Sequence, residues 1–169
     1  MCADRKASAP GAPAGAAQGG ASGPVMLALS TFRRAESTVN TAIGRATACG
    51  ELVLVYVVDV NLARYFIGAD IGMYPHLREK CEDELLKEYE EEAQREVKKI
   101  FEKARAQKLE VRTYVETGRF ALVCLDVVKK ERPSLIVTRR SHRPEWVKKF
   151  FGSPVDNLIA EAGCPVIEA

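Results

Sequence analysis

"SLIVTRRSHRPEWVKKFFGSPVDN", residues Ser134 to Asn157, decides how this chain is read. A short apolar run, Ser134 to Thr138, stops abruptly at Arg139, Arg140, Ser141, His142 and Arg143. A brief amphipathic piece follows. Gly152-Ser153-Pro154 then has the form of a helix start, with Ser153 at the N-cap and Pro154 as the first helical residue. Strand, loop and capped helix is how many α/β proteins hold a phosphate. This loop, however, has no glycine before Gly152, and it carries cations where a cradle of backbone N–H groups is expected. It binds a nucleotide, binds some other anion, or binds nothing.

The residues on either side place that segment in a repeating pattern. Downstream, Ser153 to Ala162 is a helix with Asp156 in its first turn, Gly163 caps its end, and Pro165 to Ala169 is a terminal strand. Upstream, Phe120 to Val128 is an apolar helix that Pro133 stops from continuing. Glu110 to Thr117 alternates apolar and polar residues, as a half-covered strand near a sheet edge does, and Gly118 marks the turn after it. A stripe from Leu77 through Tyr89 and Val97 to Ala104 runs along a long charged helix ending near Gln107. Leu52 to Asp59 and Val25 to Ser30 are continuous apolar runs, typical of strands buried on both faces. Between them, Val39, Ala42, Ile43 and Ala46 recur at helical spacing, with Gly50 as a C-cap. Strands alternating with helices predict an α/β fold, a parallel sheet with right-handed crossovers and helices on both faces.

Composition narrows the function. At 169 residues the chain fits one domain with a real core, and its formal net charge of +2 is too small to imply a nucleic-acid partner. No apolar stretch approaches the ~20 residues of a membrane helix. Residues 1–23 are almost all Ala, Gly, Pro and Ser, so a disordered tail is expected there, with the folded domain over 24–169. The tail has no apolar core of a secretory signal. The five cysteines make no CxxC pair or metal-ligand spacing, which points to reduced thiols in a cytoplasmic protein. His76 and His142 have no matching carboxylate or cysteine group, so no metal is expected. Neither Ser141 nor Ser153 has a recognisable base, so no catalytic residue and no enzyme activity are expected.

These residues resemble the universal stress protein family. The resemblance covers Pro24 to Ala169 and is most specific in "PSLIVTRR" and "FFGSPVDNLIAEAGCPVIEA"; "ELVLVYVVD" and "VETGRFALVCLDVVKKE" also match. It implies a single doubly wound five-stranded parallel sheet in the order 3-2-1-4-5, a flavodoxin- or Rossmann-like three-layer sandwich. It also implies stress-linked regulation in the cytoplasm and homodimers formed through the C-terminal strand 165–169. Some members of the family bind ATP and others do not.

Members that bind ATP carry an Asp at the end of the first strand and the pattern G-x2-G-x9-G-[ST]. Here Ser30 takes the Asp position, Arg139 and His142 replace the first two glycines, and Gly152 and Ser153 remain. Side chains at Arg139 and His142 crowd the backbone approach, and Pro154 removes a helix N-terminal donor. Losing several contacts of ~1 kcal/mol each moves a micromolar site toward millimolar. No cofactor is therefore expected, with ATP or AMP as the alternative. The nucleotide- or anion-binding candidates are Ser30, Arg139, Arg140, His142, Gly152 and Ser153.

The cations leave two readings open. Arg33 and Arg34 follow the first strand and Arg139 and Arg140 the fourth, so all would surround one crevice. They form either a solvated loop or an anion site built from guanidinium forks. Trp146 and the Tyr65-Phe66-Ile67 connection either pack on the sheet or face an unidentified protein partner. Thiol sensing at Cys49, Cys124 or Cys164 is a third possibility. The expectation is a binding module without strong ATP affinity; the rival is an adenine-nucleotide binder using Gly152, Ser153 and the basic loop.

Overall fold

The computed structural model describes residues 23–31, 33–60, 75–140 and 153–169. Most of the alanine-rich tail, the connection carrying Tyr65, Phe66 and Ile67, and the segment from Ser141 to Gly152 lie outside the described residues. Site candidates His142 and Gly152, and Trp146, fall in that last segment.

In chain order the elements are β1 (Val25–Ser30), α1 (Glu36–Ala46), β2 (Glu51–Asp59), α2 (Pro75–Ala106), β3 (Glu110–Gly118), α3 (Phe120–Glu131), β4 (Leu135–Thr138), α4 (Pro154–Glu161) and β5 (Val166–Glu168). The five strands form one sheet in the order β3-β2-β1-β4-β5, with every pairing parallel. Both the strand order and the layering agree with the expectation.

The burial pattern follows from position in the sheet. All of β1, and β2 after Glu51, are buried because helices cover both faces. Leu27, Leu29, Leu54 and Tyr56 pack with Val39 and Ile43 of α1 and Val97 and Ile100 of α2 on one face. Met26, Ala28, Val53 and Val55 pack with Phe120, Cys124 and Leu125 of α3 and Leu158 of α4 on the other. Each fully buried Leu or Val contributes ~1.5–3 kcal/mol. β3, at one edge, is nowhere fully buried, which explains its alternating sequence.

Two helix ends differ from the sequence reading, those of α1 and α3, while α2 ends where expected. α1 stops at Ala46, and Gly50, at φ 81°, closes the turn by donating its N–H to Ala46 O at 2.8 Å. α2 spans 32 residues and ends at Ala106. α3 runs three residues past Val128 to Glu131, because Lys129, Lys130 and Glu131 extend its polar face. Arg132 then takes the left-handed conformation at φ 47° just before Pro133.

Candidate functional site

In an open α/β sheet, ligands bind outside the carboxyl ends of the strands where strand order reverses, here at β1 and β4. β2 extends past β1 at this end: Ser30 is opposite Val57, so Asp59 stands two residues beyond it. The chain leaving β1 turns back on itself, with Arg33 N–H donating to Ser30 O at 2.9 Å. That reversal carries the Arg33 side chain onto the α3 side of the sheet.

There the guanidinium is enclosed. Arg33 Nη1 donates to Ser30 Oγ at 3.2 Å and lies 3.5 Å from Asp59 Oδ2. Its Cζ sits 4.3 Å from the centroid of the Phe120 ring, at the start of α3. Arg33 is 1% exposed and Asp59 2%. A buried charge persists only when paired and hydrogen-bonded, and this cation has a carboxylate, a hydroxyl and an aromatic face. One turn along α3, burial pushes the Cys124 thiol up to about 12. Arg33 and Asp59 act on it in opposite directions, so desolvation decides the shift.

At the other side of the crevice the start of α4 and the Arg140 side chain are engaged within the protein. Ser153 caps α4 as the sequence predicts, its Oγ accepting the Asp156 N–H at 3.3 Å, and Pro154 supplies no N–H. The Asp156 carboxylate takes Arg140 Nη2 at 2.6 Å, and Arg140 Nε donates to Glu168 Oε2 at 2.6 Å. Hydrogen bonds to Glu168 and then Asp156 raise the Arg140 pKa above its ordinary value. Arg140 thus ties the start of α4 to β5. Arg139 is exposed.

The expectation that both Arg33 and Arg34 share one crevice with the loop cations is corrected for Arg34. Arg34 lies on the opposite face, where its Nη1 meets Glu92 Oε1 of α2 at 2.7 Å. Arg33 is buried beneath the strand ends. Sequence reasoning missed Asp59 and Phe120 as its partners. The available signal was Asp59 itself, an acid closing an otherwise apolar buried strand and therefore requiring a buried cation. Among the described residues, no three His, Cys, Asp or Glu side chains converge as metal ligands.

The sequence model of the universal stress protein family matches residues 23–167. The chain belongs to that family. Solved structures share the fold. Universal stress protein UspA from Lactobacillus plantarum is 19% identical with a TM-score of 0.64, covering 88% of this chain and 98% of its own. A universal stress family protein from Burkholderia pseudomallei is 17% identical with a TM-score of 0.58, covering 89% and 98%. A universal stress protein solved in complex with cAMP is 10% identical with a TM-score of 0.54, covering 88% and 98%. A search of curated proteins returns no match. No helix among the described residues is long and apolar enough to cross a membrane.

Proposed function

We propose that this universal stress domain works as a regulatory binding module, without catalysis and without tight ATP binding. The observation that carries this reading is the enclosed Arg33 guanidinium. It fills the carboxyl ends of β1 and β2 with a side chain of the protein, neutralises Asp59, and leaves Ser30 as a hydrogen-bond acceptor for Arg33. The α4 end supports the same reading, since Arg140 is committed to Asp156 and Glu168 and the Ser153 hydroxyl to its own helix.

Titration calorimetry with ATP, AMP and magnesium tests it. The expected dissociation constants are weaker than about 1 mM. A micromolar constant would overturn the proposal in favour of an adenine-nucleotide binder using Gly152, Ser153 and the basic loop, the reading that the cAMP-bound family structure supports.

The module acts in the cytoplasm as a homodimer. β5 lies at the sheet edge, where unpaired backbone groups can be covered by a second copy. Sedimentation is expected to give a dimer mass that is lost on deleting Pro165 to Ala169. A monomer mass independent of concentration and of that deletion refutes the assembly.

A further inference from the structure

α2 sorts its charges along its length. Residues 83–92 carry six acids and one base, and residues 95–108 carry six bases and two acids. Acids early and bases late suit the helix dipole, but that field fades within the first and last turns and does not reach the middle of a 32-residue helix. The core stripe, Ala93, Val97, Ile100 and Ala104, is buried against the sheet. On the flank toward α1 the charges are used within the chain. Glu92 takes Arg34 at 2.7 Å, Lys99 takes Glu96 at 2.7 Å and Lys103 takes Glu36 at 3.1 Å.

The outward stripe differs. Glu84, Lys87, Glu91, Lys98, Glu102 and Arg105 recur at helical spacing on the side away from the core, and all are exposed. None of the six makes an ion pair among the described residues; Arg105 lies 5.8 Å from the centroid of the Phe101 ring. Their signs follow a two-fold rule. Counted from the midpoint between Gln94 and Arg95, Glu84 mirrors Arg105, Lys87 mirrors Glu102 and Glu91 mirrors Lys98. A copy of the helix laid antiparallel across this midpoint meets opposite charges along about 30 Å. A slip of three or four residues sets Glu84 or Glu91 against Glu102, and parallel pairing sets each charge against itself.

We propose that the outward face of α2 is a self-association surface that takes α2 of a second copy, antiparallel, with the two-fold axis between Gln94 and Arg95. Arg95, beside the axis, is balanced by Glu91 of both copies. A seam of exposed charges gives register and speed of encounter more than affinity, so the contact is weak and salt-sensitive. It is distinct from the β5 edge, because α2 packs on β2 and β3 and β5 closes the other end of the sheet. Where β5 pairs two copies, α2 joins the pairs into larger assemblies; where it does not, α2 gives dimers.

Sedimentation velocity of the full chain tests this, from ~10 μM to ~1 mM protein, at ~0.02 M and ~0.5 M salt. At low salt the weight-average mass is expected to rise with concentration, and the rise should vanish at high salt. Glu91→Lys and Lys98→Glu each set like charges across the axis and should weaken this step about tenfold or more. Both sites are exposed, so the unfolding midpoints stay near wild type. Mixed in equal amounts, the two variants should regain the step, because each then faces the opposite charge at both positions. Glu91 and Lys98 are two turns apart on one helix, so a contact within a single chain does not produce that rescue. Deleting Pro165 to Ala169 leaves the α2 step in place, which separates its failure from failure of the β5 assembly. A mass independent of concentration at low salt, a rise undiminished by salt, no loss in either variant, or no recovery in the mixture overturns the proposal.

Discussion

The two ends of the crevice use the same chemical unit in different surroundings. At the β1–β2 end, Arg33 and Asp59 are 1% and 2% exposed; at the β4–α4 end, Arg140 is 46% exposed beside Asp156 at 55% and Glu168 at 37%. The exposed set has the shorter distances, 2.6 Å against 3.5 Å. Distance alone would rank Arg140 as the stronger anchor. Burial reverses that order. Charges removed from water must compensate each other, whereas an exposed pair gives up little when it separates. The buried end therefore holds the fold together and closes the strand ends, and the exposed end can rearrange.

The largest expected effect follows from breaking the buried pair on one side only. Arg33→Ala leaves the Asp59 carboxylate buried without this cation and removes the group stacked on Phe120. A loss of ~3–5 kcal/mol is expected in urea denaturation, a large share of the ~5–15 kcal/mol typical of a domain. Replacing both partners, Arg33→Met with Asp59→Leu, should recover most of it, because packed apolar side chains need no compensation. A cost below ~1 kcal/mol for the single variant would mean that the two ends do not differ as argued.

This asymmetry was only partly readable in the sequence. The alternation of strands and helices, the edge position of β3 and the Ser153 cap follow from features that repeat or have fixed local geometry: apolar runs, polar alternation, and a hydroxyl before a proline; the sheet order was implied by the family resemblance. The directions of Arg33 and Arg34 do not. They are consecutive residues in a short reversal, where no period applies, and one turns to each face. Asp59 was visible as the end of a strand, yet its partner is set by how far β2 outruns β1, a matter of register between distant segments. Arg140 follows β4 as expected; its commitment to Asp156 and Glu168 depends on two later elements converging there.

A smaller effect sharpens the comparison through pH. The unfolded Cys124 thiol ionises near its ordinary 9.0, while in the folded protein it holds its proton to about 12. Its contribution to stability is thus complete below pH 9 and is lost as pH rises toward 12, at ~1.4 kcal/mol per unit. Because other groups titrate there, the measurement is the difference between wild type and Cys124→Ala in urea midpoint against pH. Equal slopes for the two proteins would show that the α3 side of the crevice is wet. Iodoacetamide provides a second reading, since exposed Cys49 should be alkylated in the folded protein and buried Cys124 protected.

The smallest expected effect belongs to Arg140→Ala. Asp156 keeps the favourable field of the α4 N-terminus when its partner is removed, and Glu168 returns to water at the sheet edge. The cost should stay below ~1 kcal/mol and shrink further at high salt, where exposed pairs are screened. The consequence should be local: faster amide exchange in β5, whose three residues rely on pairing with β4 and on this bridge. The same variant also tests what the exposed end is for. If the phosphates of a nucleotide bound there, removing Arg140 would weaken ATP about tenfold or more. If the bridge only fastens β5 to α4, the ATP titration will be unchanged while exchange in β5 accelerates, so two readouts on one protein separate a binding cation from a structural one.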